Sequence, residues 1–480
     1  MERKAGVLMH ISSLPNKRGI GSFGQSAYEF VDFLAKSGLS LWQVLPMCPT
    51  SYGDSPYQSP SAIAGNPYFI DVDTLIDEGL LKEGEAPEYA LEYVDYAAVY
   101  YERYATLRKA FKRFIKAPPE DYEAFKAENA FWLDDYALFM ALKEAHDMQA
   151  WYTWEPKYMH RTASMTRFAS AAEFHKFLQY EFFRQWLALK AYANGKGIKI
   201  VGDMPIYVAH DSVEVWSNPK QFLLNEDLSK KVVAGVPPDY FSEDGQLWGN
   251  PIYDWDYMKK TNYEWWVMRM RMALKFYDIV RIDHFRGFAD YYVIPADSTT
   301  AKVGEWKTGP GMALFDTINR ELNNPAIIAE DLGELHDCVR ELVRATGYPG
   351  MKVMQFAFDG NPHNDFYYTN YNNNCIAYPG THDNDTTRGW FEALPYSGKS
   401  LVCSTLGYYG DDITGEFIER LFSSAADTVI IPMQDFLNLD TSARMNIPST
   451  LGGNWAWRSA AVWEDKAEKI RALAEKYKRV

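Results

Sequence analysis

Three short stretches carry carboxylates where an enzyme would need them. Residues 279–288 read IVRIDHFRGF. Side chains alternate along a strand, so Arg281 and Asp283 share one face. Burying two charges costs several kcal/mol each unless they pair. A structural ion pair and a catalytic carboxylate both satisfy that condition. Asp283 closes the strand, however, and the C-terminal ends of barrel strands are where active sites lie. The neighbouring guanidinium is expected to hold Asp283 ionised, as a nucleophile must be.

Residues 325–333 read PAIIAEDLG, an apolar strand ending in two acids and a glycine. Asp331 suits the cap of a following helix. Glu330 is expected at the strand's last position, level with Asp283. A partly desolvated carboxyl beside a second acid has a raised pKa and suits general acid catalysis. Residues 378–386 read YPGTHDNDT. Turn chemistry alone explains such text, but Asp383 adds a third acid to the same expected rim, with His382 as a donor beside it. The segment Gly235–Pro251 is stiffened by Pro237 and Pro238, hinged by glycines and rich in aromatics. It reads as a loop over a ligand, as does Gly53–Pro60. The stretch from Glu330 to Asp337, with Glu334 and His336, imitates a metal site, but charge at a helix N-terminus accounts for it.

These residues need a frame. Eight β-rich runs recur: Gly6–Ile11, Ser40–Leu45, Ile198–Met204, Asp278–Asp283, Ala326–Glu330, Val353–Phe358, Cys375–Tyr378 and Thr428–Met433. Helical patterns such as Ser26–Lys36, Met312–Leu322 and Leu335–Thr346 separate several of them. Strands alternating with helices over this length predict a single (β/α)8 TIM barrel spanning 1–480. The spacing predicts a helical insertion, 67–195, after strand two. A second insertion, 207–276, follows strand three and carries the loop 235–251. The tail from Ala460 reads as a charged helix on the barrel's outside.

Composition narrows the function. The chain has 480 residues, with 49 basic and 64 acidic side chains and a net charge of −15. This excludes the clustered positive charge that nucleic acid or an anionic membrane surface requires. No apolar run reaches the ~18 residues of a membrane span, and no signal peptide is read. Four scattered cysteines predict reduced thiols and a cytoplasmic protein, with neither disulfide frame nor zinc spacing. Aromatics make up 16% of the chain. Many stand in loop-like text, which suggests flat platforms for a ligand such as a sugar ring.

At this point the sequence resembles a known family, the 4-alpha-glucanotransferases (amylomaltases or disproportionating enzymes) of the alpha-amylase clan, glycoside hydrolase family 77. The resemblance rests on AGVLMHISSLP, GDSPYQSPSAIAGNP, GDMPIYVAHDS, GVPPDYFSEDGQLWGNP, RIDHFRGF, AEDLGE, GMKVMQFAF, GTHDND and MNIPSTLGGNWAWR, which together span nearly the whole chain. It implies a TIM barrel with inserted subdomains and no separate C-terminal β-domain. It implies Asp283 as nucleophile, Glu330 as general acid/base and Asp383 as the third acid. Arg281, His284 and His382 then bind sugar at the cleaved bond. Asp239, Phe241 and Trp248 belong to the covering loop, and Tyr57, Ser55 and Asn454 are further glucan contacts. Ser449 departs from the family, which usually has glycine there.

The expected reaction is retaining transfer of α-1,4-glucan segments to the 4-hydroxyl of glucose or a maltooligosaccharide, with no cofactor or metal. Retention needs the two working carboxyls about 5–5.5 Å apart. Three alternatives share the residues: an amylase-type α-glucan hydrolase, a metal-dependent barrel enzyme using the three acids as ligands, and a non-catalytic glucan-binding protein. Oligomeric state is not legible in the sequence.

Overall fold

The computed structural model describes residues 3–51, 53–89, 92–238, 243–460 and 463–480. Its twelve strands are β1 (Lys4–Leu8), β2 (Leu41–Gln43), β3 (Lys199–Pro205), β4 (Val232–Val236), β5 (Gln246–Pro251), β6 (Ile279–Asp283), β7 (Asp290–Pro295), β8 (Glu305–Thr308), β9 (Ile327–Ala329), β10 (Gly350–Val353), β11 (Cys375–Tyr378) and β12 (Thr428–Pro432). Eight of them form one parallel sheet in the order β10-β11-β12-β1-β2-β3-β6-β9. The ends of that order meet where the Ala329 N–H donates to the Pro349 carbonyl at 2.9 Å. Val7, Val201, Val280, Ile282, Val429 and Ile431 are all fully buried, as expected of parallel strands covered on both faces. The fold is a (β/α)8 barrel.

Helices cover the outside. Trp186 on the helix Ala169–Gly195 packs against Phe23 and donates its indole N–H to the Phe276 carbonyl. Two long helices, Tyr96–Phe114 and Asp121–Ala145, lie with it between β2 and β3. The C-terminal helix is Ala467–Lys476, and behind it Arg479 is fully buried, donating to the Phe422 and Ser424 carbonyls. No helix among the described residues is long and apolar enough to cross a membrane.

The structure corrects several expectations. The sixth barrel strand is Gly350–Val353, and Met354–Ala357 is a 3-10 turn instead. The apolar text of 353–358 imitates a strand, but register is decided upstream. A Cβ at Gly350 would meet the Asp331 carboxylate at 2.4 Å, and that carboxylate accepts the Met351 N–H at 2.7 Å. Asp331 therefore anchors β10 and caps no helix. Glu330 lies one residue beyond β9. The segment 235–251 contains the end of β4 and all of β5, an antiparallel pair within a four-stranded sheet ordered β5-β4-β7-β8, so both its ends are sheet and not loop. The strands β7 and β8 were not foreseen. Most of the aromatic excess is core: Trp42, Trp151, Trp186 and Trp266 are fully buried. Large rings stabilise by buried area and edge contacts, and a barrel wrapped in long helices has room for them.

Gly202 shows how tightly the barrel is packed beside the rim. A Cβ there would lie 2.0 Å from the ring of Tyr277, whose hydroxyl accepts the Met47 N–H. The substitution Gly202→Ala is expected to destabilise the protein by about 1–3 kcal/mol through overpacking. A thermal-unfolding midpoint equal to that of the parent chain would contradict this packing.

Candidate active site

The site is built at the C-terminal ends of neighbouring strands. β3 and β6 pair with Asp203 opposite Arg281, and β6 and β9 pair with Ile282 opposite Ala329. The period of two then turns Asp203, Arg281 and Asp283 to the same side. Arg281 donates from Nη1 to both Asp203 oxygens at 2.7 Å and contacts Asp283 Oδ1 through Nη2 at 3.0 Å. The Asp203 side chain is fully buried, while Asp283 keeps 32% of its side-chain surface exposed.

After Asp283 the chain bends sharply. His284 adopts φ +53°, a left-handed conformation that costs a non-glycine residue about 1–2 kcal/mol. The His284 N–H donates to Glu330 Oε2 at 2.7 Å, and the Leu332 N–H donates to Glu330 Oε1 at 2.9 Å. The Glu330 carboxylate is thus bonded to the amide that directly follows Asp283. Strain at this point is coupled to the placement of a reactive group.

Charge crowding sets the protonation states. Burial, partly offset by Arg281 and reinforced by the charges of Asp203 and Asp383, pushes the Asp283 carboxyl up to about 6. Burial and then the Asp283 charge push Glu330 up to about 7, against Arg281 and its two backbone donors. Arg281 pulls the Asp283 pKa down, as expected, but does not bring it below the ordinary carboxyl value. The guanidinium is divided between two acids, and desolvation outweighs its remaining pull. His284 is driven down to about 3 by burial and then by Arg286, so it is neutral in the working range.

A second chain of contacts reaches Asp383. The Tyr57 hydroxyl donates to Asp203 Oδ2 at 2.8 Å and lies 2.9 Å from His382 Nε2. Tyrosine has one proton to give, so His382 Nε2 carries a hydrogen and donates to the Tyr57 oxygen. The same nitrogen is 3.5 Å from Asp383 Oδ1. Asn446 donates to Asp383 Oδ1 at 2.6 Å, and Arg444 donates to the Asp383 carbonyl at 2.7 Å. Tyr57 and His382 rings stack at 5.3 Å, with Trp455 tilted against both.

The predicted site residues fall into groups. Asp283, Glu330, Arg281, His284, His382, Asp383 and Tyr57 are linked by the contacts above. Trp248 joins them, its ring edge-to-face with His284 at 4.7 Å. Ser55 accepts the Tyr57 N–H at 3.2 Å and so supports the site from behind. Asn454 spends its amide inside its own loop, accepting the Ile447 N–H and donating to Thr450. Ser449 in that loop has φ +63°, the conformation in which glycine carries no Cβ penalty. Asp239 and Phe241 lie outside the described residues. Sequence reasoning missed Asp203, Asn446 and Arg444. A lone acid in the apolar run of β3 was the available signal for Asp203. Nothing local marked Asn446. Among the described residues, the one group of three His, Cys, Asp or Glu donors close enough to share a metal ion is Asp290, His336 and Cys338, and not the rim acids.

Comparison with known proteins gives concordant matches. The family model described as 4-alpha-glucanotransferase (Glyco_hydro_77) matches residues 9–462. A 4-alpha-glucanotransferase of Clostridium butyricum is 49% identical over 489 residues, covering 98% of this chain and 100% of that protein. One from Streptococcus pneumoniae is 49% identical over 477 residues, covering 95% of this chain and 93% of that protein. The solved structure of the amylomaltase from Streptococcus agalactiae in complex with acarbose superposes with a TM-score of 0.96 at 42% identity, covering all of both chains.

The divided guanidinium has a measurable consequence. Asp203→Asn removes a negative charge that raises the Asp283 pKa and leaves Arg281 to Asp283 alone. The Asp283 carboxyl should then titrate below about 6, followed by carboxyl carbon-13 NMR. An unchanged or raised value would refute the shared-guanidinium account.

Proposed function

We propose that this chain, which belongs to the 4-alpha-glucanotransferases of glycoside hydrolase family 77, transfers glucan by a double displacement in which Asp283 is the nucleophile and Glu330 the acid/base. Its activity is that of a 4-alpha-glucanotransferase, moving α-1,4-glucan segments between oligosaccharides. The observation that carries the mechanistic reading is the Glu330 carboxylate bonded to the amide next to Asp283, with both carboxyls raised so that Asp283 ionises first.

In the first step an Asp283 oxygen attacks the anomeric carbon as the glycosidic C–O bond breaks. The Glu330 proton passes to the departing 4-oxygen. The product is a β-glucosyl ester on Asp283. In the second step the acceptor 4-hydroxyl gives its proton to Glu330, attacks the same carbon and displaces Asp283. Two inversions restore the α configuration. Arg281 stabilises Asp283 as leaving group, and Asp383, oriented by Asn446 and His382, binds sugar hydroxyls where the oxocarbenium charge develops.

Transfer prevails over hydrolysis only where the acceptor sugar is held and the ester is shielded from water. In this reading Trp248 and His284 form one wall of that enclosure and Tyr57, His382 and Trp455 another. Ser55 and Asn454 support it, and Asp239 and Phe241 are further glucan contacts by family resemblance. Donors and acceptors are α-1,4-glucans and maltooligosaccharides, with neither nucleic acid nor membrane as partner, consistent with the net charge of −15. Four free cysteines accord with a cytoplasmic setting.

Maltotriose as sole substrate tests the reading by thin-layer chromatography. Glucose together with maltotetraose and longer products is expected, whereas reducing ends accumulating without longer chains would identify a hydrolase. The value of kcat/KM should pass through a maximum between about pH 6 and 7, falling on the acid side as Asp283 protonates and on the alkaline side as Glu330 ionises. Glu330→Gln should lower kcat by about 10²–10⁴-fold. Asp283→Asn should abolish transfer while the protein stays folded, because Arg281 keeps Asp203. Full transfer by Asp283→Asn would remove the mechanism.

A further inference from the structure

The stretch after Glu330 contains His336, which sequence reasoning set aside with the charged start of a helix, and Cys338, which it read as one of four scattered reduced thiols. The fold adds what the sequence does not show. Asp290, at the start of β7, is brought against both. Its Oδ2 contacts His336 Nδ1, and the Cys338 thiol lies near the same carboxylate. One ligand atom from each of the three residues lies within 4.8 Å of the others. A tetrahedral zinc ion spaces its donors about 3.3–3.8 Å apart, so modest side-chain rotation brings all three onto one ion.

We propose that Asp290, His336 and Cys338 form an auxiliary binding site for a borderline divalent cation of the zinc type. The donor set supports this choice. A thiolate, an imidazole and a carboxylate together suit zinc, whereas an all-oxygen set would suit magnesium or calcium. Access supports it as well. The Asp290 carboxylate is only 10% exposed and serves as an anchor, while the His336 side chain is 49% exposed and Cys338 is open to solvent. Three protein ligands leave a fourth position for water.

The surroundings hold the anchor in place. Arg286 donates to Asp290 Oδ1 at 2.9 Å and 3.3 Å, leaving Oδ2 directed at His336 and Cys338. Arg286 is itself fixed by its bond to the Glu334 carbonyl and by stacking 4.2 Å over Trp306, whose ring meets His336 edge-on at 4.9 Å. Partners of this kind orient a metal ligand. The guanidinium also opposes a nearby cation, which places the affinity below that of an all-cysteine structural site. Binding forms metal–sulfur, metal–nitrogen and metal–oxygen bonds, releases the Cys338 thiol proton to solvent and involves no change of oxidation state.

The position gives the site a role. Asp290 lies seven residues after Asp283, and His336 lies six residues after Glu330. A bound ion would tie the segment leaving one rim carboxylate to the segment leaving the other. The site rests on these three donors alone and stands whether or not the transfer mechanism does.

Cobalt(II) added to the reduced, metal-free full-length protein is the direct probe, because a thiolate ligand gives it a near-ultraviolet charge-transfer band. The expected result is a band that saturates at a single equivalent, is bleached by zinc, is lost in Cys338→Ser and is kept in Cys403→Ser. Zinc should also raise the thermal midpoint of the parent chain and leave that of His336→Ala unmoved. No band at saturating cobalt, or a band that survives in Cys338→Ser, overturns the proposal. An equal zinc-induced shift in His336→Ala does so as well.

Discussion

The site depends on one buried guanidinium shared between two acids. Arg281 stands inside the barrel with Asp203 on one side and Asp283 on the other. A single cation between two carboxylates cannot neutralise both, and a buried pair gains only where geometry and hydrogen bonds offset desolvation. Asp203, fully buried, takes the two shorter contacts. Asp283 takes what remains, and its pKa rises instead of falling. A carboxyl held this way is ionised at neutral pH, as the proposed role of Asp283 as nucleophile requires. Burial and then the Asp283 charge push the Glu330 carboxyl up, so under the proposed mechanism two carboxyls would divide the roles of nucleophile and acid/base by their surroundings.

Position follows from backbone geometry. The left-handed turn at His284, directly after β6 ends at Asp283, aims an N–H at Glu330. The Glu330 carboxylate is therefore held by two main-chain amides, those of His284 and Leu332, which are stiffer anchors than side-chain packing. On the opposite side, Tyr57 links Asp203 to His382, and Asn446 orients Asp383. The loop bearing Asn446 reaches the rim from beyond β12, so the last part of the chain completes a site begun by the first. Ser449, strained within that loop, is tolerated because the backbone on either side of it, the Ile447 N–H and the Thr450 carbonyl, is bonded to the Asn454 side chain.

Much of the frame was legible because it is local. Strand text of alternating or continuous apolar residues placed seven of the eight barrel strands within a few residues. The error at β10 came from an apolar run that imitates a strand, with the true register fixed by Asp331, 20 residues earlier in sequence. The antiparallel β7 and β8 escaped notice because a small half-exposed sheet gives no run long enough to separate it from loop. The aromatic count pointed at ligand platforms, whereas most rings fill the core, since composition records how many rings there are and not which way they face.

The sequence by itself determined which residues could react: an acid at the end of one strand, another just past the next, and a third in a turn after a later one, each fixed by periodicity and by the glycines and prolines that end a strand. Tertiary structure alone decided what those acids are. It placed Asp203 against Arg281 across 78 positions of chain, directed the His284 amide at Glu330, and gathered Asp290, His336 and Cys338. The reason is physical. Strand periodicity depends on neighbours in sequence, but a carboxyl's pKa, its partners and its dielectric depend on which strands lie side by side.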